Sequence, residues 1–121
     1  MSRIDEVIGE FGHFIELSDL SFNEEGVIDL EIETIGELCL EREADGILVY
    51  LLREYPQANA ALCRRALALC QPSENTEINL YTGLIGDTRL LFALRIEEEL
   101  LDFQRLNEAF KLLEELHNRL A

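Results

Sequence analysis

The hydrophobic period of this chain switches four times, and that alternation fixes the class of fold before any motif is considered. Ile4, Val7, Ile8 and Phe11 recur at helical spacing, with Ser2 as a candidate N-cap and an end expected near Gly12 to Phe14. Asn23-Glu24-Glu25-Gly26 reads as a turn, after which Ile28, Leu30 and Ile32 alternate with Asp29, Glu31 and Glu33. Beyond Gly36, Leu38 and Leu40 point one way while Glu37, Cys39 and Glu41 point the other. Asp45-Gly46 supplies a hairpin signal before Ile47 to Leu52, a continuous apolar run that predicts burial on both faces. Three antiparallel strands are expected.

Pro56 ends this pattern, and Ala58 to Cys70 returns to helical spacing with Leu62, Ala66 and Leu69 on one face. The helix is rich in alanine, which permits close approach of a sheet or a partner's helix. Gln71 to Asn75, containing Pro72, forms the exit loop. Ile78, Leu80 and Leu84 then lead to a turn at Gly86-Asp87, and Leu90, Phe92, Leu94 and Ile96 continue with period two. Leu91 and Ala93 make the opposite face apolar as well, so this strand should be central in the sheet or covered by a partner. Phe103, Leu106, Phe110, Leu113 and Leu120, broadened by Ala109, Leu112 and Leu116, form a terminal helix with a wide apolar face. The order is αβββαββα. It predicts an α+β fold in which helices pack on a twisted antiparallel sheet, as a single domain over residues 1–121.

A formal net charge of -15 accompanies these stripes. It disfavours nucleic acid and anionic lipid as partners and favours a neutral or basic polypeptide. The first residues lack the uninterrupted apolar stretch of a signal peptide, and no run approaches the roughly 20 residues of a membrane-spanning helix. No membrane insertion is expected. Cys39, Cys63 and Cys70 show neither CxxC nor Cys/His metal spacing and leave one thiol unpaired under any internal disulfide scheme, which fits a reducing cytoplasm.

The same residues hold no convincing catalytic constellation. His13 and His117 lie far apart on amphipathic helices, read as helix-edge residues without an adjacent nucleophile or orienting carboxylate. Residues 21 to 32 imitate a calcium loop, but Ser21 and Ile32 occupy its first and twelfth ligand positions. Glu97, Glu98, Glu99 and Asp102 precede a helix, where negative charge is favoured by the macrodipole. Gly83-Leu84-Ile85-Gly86 lacks the lysine and context of a phosphate loop. No catalytic residue, metal site or cofactor is expected.

The opening MSRIDEVIGEFG, the stretch TGLIGDTRLLFALRI and the terminal LNEAFKLLEELHNRL, taken in this order, resemble the class I chaperones of type III secretion systems. The similarity is closest to SycN-like members. It implies a CesT/SycE-like fold dimerising through the second helix and adjacent strand, and a cytoplasmic, ATP-independent chaperone that holds an extended N-terminal segment of a secreted effector. For SycN-like members it implies a gatekeeper client and a heterodimer with a second small chaperone, with a homodimer as the other arrangement. Homodimeric relatives often carry a Leu-x-x-Asn-like end to the second helix, where this chain has Ala66 to Cys70. Candidate client contacts are Ile4, Val7, Ile8, Phe11, Leu30, Ile32, Leu38 and Leu40. Candidate dimer contacts are Leu62, Ala66, Leu69, Leu80, Leu84 and Leu91. Two other classes compete: an acidic adaptor domain regulating a basic partner, and a small hydrolase whose fold would supply an orienting residue for His13 or His117.

Overall fold

The computed structural model describes residues 3–17, 19–71 and 79–121. Its elements are α1 (Arg3–Phe14), β1 (Val27–Ile32), β2 (Gly36–Glu43), β3 (Gly46–Glu54), α2 (Ala60–Leu69), β4 (Leu80–Ile85), β5 (Arg89–Glu97) and α3 (Phe103–Leu120), with a 3-10 turn at Glu98–Leu100 before α3. The expected order is therefore observed. Ser2, Ile78 and most of the expected exit loop lie outside the described residues.

Local chemistry accounts for the boundaries. The Asn23 side-chain oxygen accepts from the backbone N–H groups of Glu25 and Val27, closing the turn that starts β1. Asn59 caps α2 by accepting from the Leu62 N–H at 2.9 Å, and Asp102 caps α3 by accepting from the Arg105 N–H at 2.7 Å. The acidic stretch before α3 thus contains its cap.

All strands join one antiparallel sheet in the order β1-β2-β3-β5-β4. β3 is central, β5 lies inside the sheet between β3 and β4, in keeping with its two apolar faces, and β1 and β4 are edges. α1 and α3 pack on one face with α2 against α3 and β4, and the core fills the space between with Phe11, Leu38, Leu40, Val49, Leu51, Phe92, Leu106 and Leu113. Phe11 and Phe110 meet edge to face at 6.1 Å.

Three local expectations are corrected. Ile47 to Leu52 is not buried throughout: Ile47, Val49 and Leu51 face the helices, while Leu48 and Tyr50 on the other face are only half-buried. At the β2–β3 hairpin the connecting residues are Ala44 and Asp45, and Gly46 already pairs with Glu43 in the ladder. Glycine is needed there for space, since a Cβ would collide with the Ile96 carbonyl of β5. His117 is not a helix-edge residue, because α3 turns it fully into the core.

Candidate interaction surfaces

The hydrolase reading required an orienting residue beside His13 or His117, and His117 is the one of the two that is buried. Its Nε2 donates to the Leu51 carbonyl at 2.7 Å and its Nδ1 faces the Tyr55 hydroxyl at 2.8 Å. Burial pushes its pKa down to about 4. Both nitrogens are occupied by groups that tie α3 to β3, and the ring is sealed from solvent. His13 is exposed on α1. This arrangement is structural.

On the opposite face of the sheet, Asp29, Glu37 and Cys39 bring ligand atoms within 4.8 Å of one another. Burial, with Asp29 and Glu37 adding to it, pushes the Cys39 thiol up to about 12, so it stays protonated and is a poor ligand. A hydrogen bond to Asp29, followed by burial, raises the Glu37 pKa, while Arg89 pairs with it and opposes the rise. The group is a hydrogen-bonded knot on the sheet surface.

Exposed apolar surface is concentrated elsewhere. Edge strand β4 shows Tyr81 at 55% and Ile85 at 44% exposure on one face and Leu84 on the other, and Leu67 of neighbouring α2 is 53% exposed. Among the described residues no strand pairs with the outer edge of β4, and an edge strand with apolar side chains on both faces is a ready pairing surface. At the far end of the helical layer, Phe14 and Leu17 are exposed and Phe14 packs on Phe103 at 5.2 Å. A groove of about 690 Å³ also opens between the start of β4 and α3, lined by Tyr81, Leu94, Leu100, Ala109 and Leu112 and rimmed by Arg95, Glu97, Arg105 and Glu108.

The structure sorts the candidate residues. Ile4, Val7, Ile8, Phe11, Leu38 and Leu40 are core side chains with almost no accessible surface, whereas Leu30 and Ile32 are half-buried against that core. Leu62 and Ala66 are buried beneath α2, Leu69, Leu80 and Leu91 are half-buried, and Leu84 is exposed. Phe14, Leu17, Leu67, Tyr81, Ile85 and Leu100 carry exposed apolar surface and were not singled out in the sequence. Tyr81 and Ile85 could have been found as the apolar residues alternating with Leu80, Thr82 and Leu84.

The sequence profile of the family described as type III secretory system chaperone SycN matches residues 3–121. The chain belongs to this family of type III secretion chaperones. No curated protein sequence matches it. Among solved structures, it is similar to the Yersinia pestis type III secretion chaperone SycH in complex with a fragment of YscM2, with a TM-score of 0.74 and 15% identity over 97% of this chain and 98% of that one. The HopA1–SchA chaperone–effector complex gives a TM-score of 0.72 and 20% identity over 95% and 91% of the two chains. The heterodimeric ExoU–SpcU complex of Pseudomonas aeruginosa gives 0.66 and 22% over 97% and 93%. At these identities the likeness establishes the chaperone fold. Among the described residues, no helix of this SycN-family chain is long and apolar enough to cross a membrane.

Proposed function

We propose that this SycN-family chaperone works in the cytoplasm as one half of a dimer that holds an extended N-terminal segment of a secreted client, without ATP. The observation that carries this is the β4 edge, where Tyr81, Leu84 and Ile85 present apolar surface on both faces beside Leu67 of α2. An isolated chain would leave this surface in water, so a partner's matching edge and helix are its natural cover. Leu84, with Leu67, Tyr81 and Ile85, then makes the dimer contact. Leu62, Ala66, Leu69 and Leu80 shape the layer beneath, and Leu91 lies on the other face of the sheet.

The client is proposed to be the gatekeeper of the secretion apparatus, and the dimer partner a second small chaperone of the same fold. Client contact falls to Leu30 and Ile32, and to Phe14 and Leu17 at the end of α1. Ile4, Val7, Ile8, Phe11, Leu38 and Leu40 form the core that positions them. Each apolar client side chain removed from water would contribute roughly 1.5 to 3 kcal/mol. The similar folds of SycH and SchA were captured with other polypeptides bound, which supports this use of the fold. The family description names a chaperone, and both ring nitrogens of His117 are engaged within the core.

Co-expression pull-down from the native host, with bound proteins identified by mass, tests the proposal. Recovery of one small chaperone-sized partner and one secreted protein is expected. A stable, monodisperse monomer at micromolar concentration that recovers neither would overturn it.

A further inference from the structure

Acidic residues are spread along this chain except around α2. The sequence holds 25 of them, yet none lies between Pro56 and Ser73, the longest such interval, and β4 carries no charged residue at all. The helix instead holds Arg64 and Arg65. The two elements proposed to meet another chain are thus free of acid in a molecule of net charge -15.

The two arginines are used differently. Arg65 turns back on its own chain and donates to the Leu120 carbonyl at the end of α3. Arg64 is exposed three residues before exposed Leu67, so both lie on one face of the helix, with exposed Ala60, Ala61, Ala68 and Gln71 around them. Among the described residues, Arg64 has no carboxylate partner, whereas Arg42, Arg89 and Arg95 each pair with carboxylates of their own chain. α2 packs against β4, whose exposed Leu84 points to the helix side of the sheet. The outward surface of these elements is small and apolar around an unpaired guanidinium.

Symmetry turns that composition into a means of selection. In a two-fold pair each patch meets a copy of itself, so whichever residue faces Arg64 comes from the same α2 and β4. Neither element has a carboxylate to offer, and what it presents instead is apolar, neutral or another arginine. A guanidinium taken out of water without a counter-charge is strongly penalised, and two chains of net charge -15 also repel at longer range. A different chain is free of this restriction, because its docking face can carry aspartate or glutamate.

We infer, on the basis of the dimer contact proposed above, that Arg64 selects the partner at the α2–β4 surface. The chain that docks there sets a carboxylate against Arg64, and a second copy of this chain is disfavoured because it has none to give. Leu67 and Leu84 supply apolar area to any partner, and Arg64 discriminates between partners.

The test supplies the missing charge on a second, fluorescently labelled copy of the full chain, as Ala61→Glu, Arg64→Glu or Ala68→Glu in turn, all at exposed helical positions. Circular dichroism checks each fold, and pairing is read by fluorescence anisotropy across a dilution series. At least one glutamate copy should bind the wild type about tenfold or more tightly than the wild type binds itself, with a gain that shrinks as salt is raised. The gain should vanish when the first chain carries Arg64→Ala, and Arg64→Ala alone should strengthen self-association. Glutamate copies that all bind no tighter than the wild type overturn the inference. A gain that survives Arg64→Ala also overturns it, because another group is then responsible, as does self-association that Arg64→Ala leaves unchanged. Leu84→Glu in the tightest pair separates this inference from the dimer contact itself. If that variant weakens pairing while the Arg64 comparisons show no difference, the selection by Arg64 alone is refuted. If it leaves pairing unchanged, the contact lies elsewhere and both readings fall.

Discussion

Tyr55 and His117, 62 positions apart in sequence, are joined by a 2.8 Å hydrogen bond whose direction is fixed by a third group. The Leu51 carbonyl 2.7 Å from Nε2 can only accept, so Nε2 bears the ring proton and Nδ1 accepts from the Tyr55 hydroxyl. The rings stack at 5.9 Å, and Phe92 meets the imidazole edge to face at 4.9 Å. A polar group is thereby held in an apolar core with both nitrogens satisfied.

Tyr55→Phe keeps the ring and removes only the donor, leaving a buried Nδ1 without a partner. The expected cost is about 1 to 3 kcal/mol of folding stability, read as a lower urea midpoint with an unchanged slope. A midpoint equal to that of the wild type would show that the bond contributes nothing net.

The same histidine predicts an acid limit to stability. Its folded-state pKa of about 4 lies below the ordinary value of 6.5, with burial the main cause. The folded state therefore holds fewer protons than the unfolded state between these values. Stability from this group is present in full above pH 6.5 and is lost as pH falls toward 4, by an amount on the order of 3 kcal/mol. Urea titrations between pH 7 and pH 4.5 should show the decline in the wild type and a flatter profile for His117→Gln. Imidazole proton shifts that titrate near pH 6.5 in the folded protein would contradict the burial argument.

The hairpin between β2 and β3 supplies a third test. A methyl group at residue 46 would run into the Ile96 carbonyl on neighbouring strand β5, and backbone cannot rotate aside as a side chain can. Gly46→Ala should cost about 1 to 3 kcal/mol, which is the usual penalty for overpacking. Its effect should appear as faster amide exchange at the paired ends of β3 and β5, and unchanged exchange there would remove the close-approach explanation.

The element order was legible because each hydrophobic period matches one kind of secondary structure, and the double-sided apolar pattern of β5 correctly placed it inside the sheet. The division between core and contact residues was much less legible. An apolar stripe reports that a face is covered, but not whether the cover belongs to the same chain. Ile4, Val7, Ile8 and Phe11 have the same signature whether α3 or a client packs on them, and the structure shows α3 and the sheet doing so. His117 posed the opposite difficulty. Its position on the α3 stripe was visible, but its partners Tyr55 and Leu51 are distant in sequence, so no local pattern could announce a satisfied buried imidazole.

The β4 edge gives the last prediction. Leu84 and Ile85 point to opposite faces of this strand, and both remain exposed in the single chain, so charge at either position should leave the fold intact. Were β4 an ordinary solvent edge, Leu84→Glu and Ile85→Glu would change nothing beyond solubility. If a partner chain covers the edge, each variant places an unpaired carboxylate in an apolar interface, and the desolvation penalty should weaken association by at least about tenfold. Light scattering across a dilution series, with circular dichroism to confirm that the fold is retained, distinguishes the two. Folded variants that associate as tightly as the wild type would place the contact somewhere other than β4.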